Sequence, residues 1–408
     1  MLRTCLVVSV ALLASAAHAD DWPQWLGIHR DGVSKETGLI KTWPKDGPPR
    51  LWSKKVGEGY SGPVVAGERL VVFHRVGDEE VVACWKAESG EEVWKFAYPT
   101  SYQDALGKGD GPRSTPCIAG KRVVTLGAEG KLHCVDLEKG TKVWGVDLQK
   151  VYRIPPIYFG VGTSPLVVGD RVLINVGGKD AGIVAFSMES GKELWKATND
   201  PASYSSPAVW QDGDKKRAVF LTREGVVILD LATGSVLYQQ RWRARIAASV
   251  NAATPLILGN EAFFSASYDT GALLLRLGKK ITEEWNSDEL MSNHYNTCVF
   301  KDGHLYGFHG REESKPAFRC VELKTKKVCW EKDRYGCGAM VLAGDRLTVL
   351  LESGEMALVV PRPERYEEIG RFTAFRAPPC RAQIALSGGR LYGRDQSELS
   401  CWDLRAKK

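Results

Sequence analysis

The residues best suited to covalent or metal chemistry in this chain are its ten cysteines and seven histidines. Zinc hydrolysis needs two histidines one helical turn apart with a glutamate between them, and structural zinc needs closely spaced cysteine pairs. His29, His74, His133, His294, His304 and His309 stand in no such pattern, and neither C-x-x-C nor C-x-x-C-H occurs. No G-x-S-x-G elbow presents a serine nucleophile. The stretch GKGDGPRST at 107–115 is Gly-rich but in the wrong order for a phosphate loop, so it reads as a connection.

The cysteines follow a different rule. Cys84, Cys134 and Cys320 each stand ten residues before a tryptophan, and Cys401 matches them through the following Trp402-Asp403. Ala185 and Ile228 take the same place elsewhere. A position shared by Cys, Ala and Ile is a buried strand site, where a thiol packs as a small hydrophobe. Cys320 and Cys329 face each other across a hairpin if KTKK is its turn, which makes one disulfide an option. Cys117, Cys298, Cys337 and Cys380 fall where repeat units open.

Recognition chemistry is better represented than catalysis. Three polar-aromatic loops carry Tyr and Arg, residue types that favour interfaces. Residues 99–113 hold Tyr102, Asp104 and Arg113; residues 150–161 hold Tyr152, Arg153, Tyr158 and Phe159; residues 292–297 hold His294, Tyr295 and Asn296. Long loops on a rigid scaffold are where binding usually sits.

The scaffold is a repeat. An aromatic closes each unit at Trp52, Trp94, Trp144, Trp195, Tyr238, Trp285 and Trp330, with Ile369 a degenerate candidate, at intervals of 39 to 51 residues. That is the period of a four-stranded propeller blade. Gly stands four residues before the aromatic at Gly90, Gly140, Gly191 and Gly234, where a tight turn needs positive φ. Lys279 and Lys326 lie in the corresponding regions of later units. Units open alike, as in SGPVVAGERLVV at 61–72 and STPCIAGKRVVT at 114–125, with Pro at the head of the first strand. Leu51, Val93, Val143, Leu194 and Leu237 precede the aromatics. Successive strand residues point to opposite faces, so both faces are expected to be buried between blades.

LWSKKV at 51–56 closes a unit whose beginning is missing, and the last unit, ending at SELSCWDL, lacks a closing strand. The expected fold is therefore all-β: an eight-bladed β-propeller, with seven blades as the alternative, whose N-terminal strand completes the last blade and leaves no open edge. Residues 1–19 read as a signal peptide, with Arg3, an apolar run and Ala17-His18-Ala19. Residues 20–50 are expected to pack on the ring, and 51–408 to form it. The net charge of +6 is scattered, so no nucleic-acid partner is expected. No later stretch is long and apolar enough for a membrane helix. A monomer is expected, in the periplasm or outside the cell.

The A-x-D-x-x-T-G-x-x-x-W-like motif resembles the tryptophan-docking motif of quinoprotein (PQQ-like) propellers. DWPQWLGIHRDGVS, GPPRLW and GYSGPVV are similar to segments of secreted bacterial PQQ-like repeat proteins related to the outer-membrane assembly propeller. The resemblance spans the mature chain and implies one of two functions. The first, preferred here, is a non-catalytic scaffold that binds a protein or extracellular polymer through one face, with no cofactor. The second is an oxidoreductase using pyrroloquinoline quinone (PQQ) and calcium. Dehydrogenases of that family carry an adjacent cysteine pair over the quinone, and this chain has none. A hydrolase or lyase would instead need carboxylates gathered on the channel.

Overall fold

A computed structural model describes residues 20–155 and 158–406; the expected signal peptide lies outside the described residues. The described residues form eight sheets, each built on a four-stranded antiparallel meander, one of which gains a fifth strand. Blades 1 to 7 span 64–99, 117–147, 166–197, 208–241, 256–287, 299–332 and 338–373. Blade 8 takes three strands from 385–403, and Arg50–Lys55 is its fourth. The ring closes as LWSKKV predicts: Trp52 pairs with Cys401 and Lys55 with Glu398. Arg394 reinforces the seam, donating to the carbonyls of Gly57 and Phe73 in the adjoining part of the ring.

Each closing aromatic lies opposite the cysteine-register residue of the neighbouring strand: Cys84 pairs with Trp94, Cys134 with Trp144, Ala185 with Trp195 and Cys320 with Trp330. The Trp94, Trp144 and Trp195 indoles each donate to a carbonyl of the next blade, Leu137, Met188 and Leu231, at 2.7–3.1 Å. The recurring spacing of Gly and Trp within a unit thus serves two blades. A Cβ on Gly140 would stand 2.6 Å from the Trp94 ring of the preceding blade, and one on Gly191 would stand 2.6 Å from Trp144. These glycines also adopt φ of 68° and 70°. Turn and docking seat are one residue. Lys326 reaches φ 61° without glycine.

Two expectations need correction. The residues before the aromatics are not buried: Leu51, Val93, Val143, Leu194 and Leu237 are 37–47% exposed. Each is skipped by the ladder, the extra residue of a β-bulge. Radiating sheets diverge toward the perimeter, so one indole fills each gap and the opposite face stays open to water. Cys329 is the bulge residue of blade 6, so Cys320 pairs with Trp330 across the ladder, and the two cysteines stand unbonded in this structure. In blade 7 the aromatic register falls on Gly370, with Ile369 in the bulge. Trp43, from the N-terminal segment, packs over Gly370 and edge-on against Phe372 at 5.6 Å. It supplies the ring that blade 7 lacks.

Residues 22–36 do more than pack on the outside. Trp22 exchanges two backbone hydrogen bonds with Val65 of blade 1, and Pro23 accepts one from Ile118 of blade 2. The buried Arg30 guanidinium donates to the carbonyls of Pro165 and Pro207, at the mouths of blades 3 and 4. Trp25 Nε1 donates to Thr254 Oγ1 of blade 5 at 2.8 Å. Val33–Ser34 then adds a short parallel strand to blade 7. The segment is a stopper laid across the inner strands. No helix among the described residues is long and apolar enough to cross a membrane.

Candidate functional site

Each inner strand starts nearest the axis, so the residues just before it crowd the channel mouth. Three residues before the opening proline, or its equivalent, stand Tyr60, Arg113, Gly162 and Tyr204 in blades 1 to 4. Blades 5 to 8 have Ala252, Tyr295, Cys337 and Arg381 there. All but Cys337 line one cavity of about 400 Å³. Cys337 lies behind it, its Sγ 3.1 Å from the Tyr295 hydroxyl. Tyr268 and Arg311–Glu313, from turns of blades 5 and 6, complete the wall, and Trp25 reaches it from the stopper side.

A hydroxyl girdle holds this register. Gly62 N donates to Thr115 Oγ1, Thr115 N to Ser164 Oγ, and Ser164 N to Ser206 Oγ, at 2.9–3.0 Å. Thr254 N donates likewise to Thr297 Oγ1. In blades 2, 3, 4 and 6 the Ser or Thr before the opening residue thus ties its blade to the preceding one and sets the height of the residue two positions earlier.

The polar groups of the wall are interlocked. Arg113 donates to Asp104 at 2.5 Å and lies 5.6 Å from the rings of both Tyr60 and Tyr102. Arg381 donates to Glu352 at 2.5 Å and to Glu312 at 2.9 Å, and lies 5.5 Å from Tyr60 and Tyr295. Arg311 sits 4.5 Å over the Tyr268 ring and pairs with Glu313. Cations over aromatic faces gain electrostatically where water is scarce. Tyr268 OH meets His294 Nε2 at 2.9 Å. Burial pushes His294 down to about 4 and raises the Glu312 carboxyl above its ordinary range. His294 is therefore a neutral hydrogen-bonding group at neutral pH.

Of the residues singled out from sequence, Arg113, Tyr158, Phe159, His294 and Tyr295 line the cavity, and Tyr102 and Asp104 brace Arg113. Asn296 is buried, with both amide atoms unpartnered among the described residues. Tyr152 and Arg153 are used elsewhere. Tyr152 bonds Glu193 on blade 3, and Arg153 caps the short helix Leu148–Tyr152. Sequence reasoning missed Trp25, Tyr60, Tyr204, Tyr268, Arg311, Glu312, Glu313 and Arg381. A signal existed for three of them: Tyr60, Tyr204 and Arg381 share Arg113's offset from a blade opening.

The family described as outer membrane protein assembly factor BamB matches residues 78–332. A curated relative of that name from Burkholderia pseudomallei is 29% identical over 216 residues, 52% of this chain and 50% of its own length. The chain thus spans about half the length of this relative. Among solved structures, BamB from Moraxella catarrhalis aligns with a TM-score of 0.62 at 14% identity, over 88% of this chain and 98% of its own. A quinohemoprotein alcohol dehydrogenase from Pseudomonas putida HK5 aligns with a TM-score of 0.68 at 12% identity, over 95% and 81%. At such identities these structures share the fold.

Proposed function

The chain belongs to the PQQ-like repeat propeller family described as outer membrane protein assembly factor BamB, and on that premise we propose that it is a non-catalytic scaffold, exported from the cytoplasm, that holds a protein partner against its loop-bearing face. One observation carries this reading. The mouth is built of Tyr, Trp and Arg, the residue types that dominate binding hot spots, and Leu106, Tyr158 and Ile246 stand 50–55% exposed on loops around it. A cluster of exposed apolar side chains on one face marks an interaction site more often than it marks chance. The similarity to proteins named as assembly factors supports a protein as the partner.

The quinone reading fits the residues less well. Pyrroloquinoline quinone is a tricarboxylate and needs surplus positive charge. The four cations of the wall are already matched by Asp104, Glu312, Glu313 and Glu352. Among the described residues, no three His, Cys, Asp or Glu side chains gather as a metal site would need.

Photo-crosslinking from Leu106 and Ile246, with Leu51 and Leu194 on the outer perimeter as controls, tests the scaffold reading in the exported fraction of the native host. One protein captured from the mouth positions alone is expected. Equal capture from the perimeter, or turnover of an alcohol or sugar after loading with the quinone and calcium, would refute it.

A further inference from the structure

The cavity behind that face has chemistry that protein docking does not use. We propose that it is a saccharide subsite, closed at one end, which takes a neutral pyranose unit through the channel mouth. This goes beyond the protein-partner reading and depends on different side chains.

Three properties of the wall select the ligand class. The first is charge. Arg113, Arg311, Arg381 and Lys108 each have a carboxylate within 4 Å. An acidic ligand finds no unmatched cation there, and a cationic one finds no unmatched carboxylate. The second is apolar surface arranged as rings. Trp25, Tyr60, Tyr204, Tyr268 and Tyr295 all face the same space. Arginines lie over Tyr60, Tyr268 and Tyr295, which leaves Trp25 and Tyr204 as flat faces suited to an occupant with flat C–H faces, and the chair of a pyranose presents two. The third is hydrogen-bonding capacity. Arg113, Arg311, Arg381, Glu312 and Glu313 bring guanidinium and carboxylate groups to the wall. An alkyl or lipid occupant would strip water from such groups and return no hydrogen bond, at about 1–3 kcal/mol for each group left dry. Hydroxyls that both donate and accept serve the arginine and histidine nitrogens and the Glu312 and Glu313 oxygens together.

The stopper decides how the ligand enters. The other wall residues come from loops before the inner strands and from turns of blades 5 and 6, whereas Trp25 belongs to the segment that bonds the inner strands directly. Trp25 therefore forms the floor of a blind pocket. Such a pocket takes a free sugar or the end of a chain, not the middle of a threaded polymer. Its volume of about 400 Å³ lies in the range of small-ligand sites.

The experiment uses the full mature protein labelled with fluorotryptophan. The Trp25 fluorine line is identified by its loss in Trp25→Phe, among the lines of thirteen tryptophans. The probes are cello-, xylo- and chito-oligosaccharides, with oligogalacturonate and inorganic phosphate as acidic controls. A neutral probe is expected to shift the Trp25 line saturably while the lines of the rim tryptophans stay fixed. Tyr204→Ala should weaken that binding about tenfold, the loss of roughly one aromatic contact. Ala248→Trp, on an exposed loop beside the cavity, should block it without touching the core, which guards against a Tyr204 variant that fails to fold. The proposal is overturned if no neutral probe moves the Trp25 line, if the acidic probes move it instead, or if Ala248→Trp leaves the shift intact. Failure of Leu106 and Ile246 to capture any protein, with sugar binding intact, would refute the protein-partner site alone.

Discussion

Two rings of repeat positions run around this molecule, and they behave in opposite ways. The outer ring, at the closing aromatic, holds nearly the same residue in blade after blade: Trp52, Trp94, Trp144, Trp195, Trp285 and Trp330, with Tyr238 in blade 4. The inner ring, three residues before each blade opening, reads Tyr, Arg, Gly, Tyr, Ala, Tyr, Cys, Arg. Both rings are equally periodic in space. The outer environment is the same eight times, a gap between two sheets, so one solution recurs. All the inner positions but Cys337 line a single cavity, so each meets different neighbours and not a copy of its own surroundings. Repetition therefore marks packing here, and variation at a repeated position marks the site.

Substitutions that separate the rings test this comparison. The largest effect is expected from Trp94→Ala, which empties an inter-blade gap and deletes the bond to Leu137. It should cost about 3–5 kcal/mol in denaturant unfolding and leave crosslinking from the mouth unchanged in protein that stays folded. Trp43→Ala should cost about as much, because Trp43 fills the aromatic place above Gly370. A loss below 1 kcal/mol would remove it from the outer ring.

Gly140→Ala comes next. Its Cβ would meet the Trp94 ring at 2.6 Å on a backbone at φ 68°. About 1–3 kcal/mol is expected from the overpacking, and in a Trp94→Ala background that part should vanish, leaving only the roughly 1 kcal/mol strain of a left-handed alanine. Full additivity would break the seat-and-indole picture.

Acid sharpens the comparison further. His133, which packs against Tyr98 in the outer part of blades 1 and 2, and His294 at the mouth are both pushed down to about 4, first by burial. Their unfolded value is near 6.5. Between those values the unfolded chain binds protons that the folded one refuses. The stability they contribute is thus full above pH 6.5 and is lost as pH falls toward 4. Glu80, raised by burial, pulls the other way. His133→Gln and His294→Gln should therefore each flatten the fall in unfolding midpoint between pH 7 and pH 4.5 relative to the parent chain. An unchanged slope would mean that the ring is hydrated. The smallest effect is expected from Leu194→Ser. It sits on an exposed bulge and should change stability by about 0.5 kcal/mol or less.

How much was legible follows from the same contrast. The period, the eighth blade and its closure by LWSKKV could be read because each blade repeats one pattern of strand, turn and aromatic. The burial of Leu51 and its equivalents was misread because alternation along a strand does not reveal a bulge or the widening of gaps with radius. Arg113, Tyr158, His294 and Tyr295 were found because their loops are long and rich in polar aromatics. Tyr60, Tyr204 and Arg381 were overlooked because each is a single residue in a short connection, informative only when the eight openings are compared at one offset.

The sequence alone determined the ring: eight copies of a local pattern, each satisfied by contacts with its neighbours. Only the tertiary structure decided the stopper and the cavity. Trp25 and Arg30 take their hydrogen-bond partners from blades 3, 4 and 5, up to 229 residues away, and the wall residues become neighbours only when the ring closes. Contacts that exist only between distant segments leave no period in the chain, because nothing near them in sequence has to answer to them.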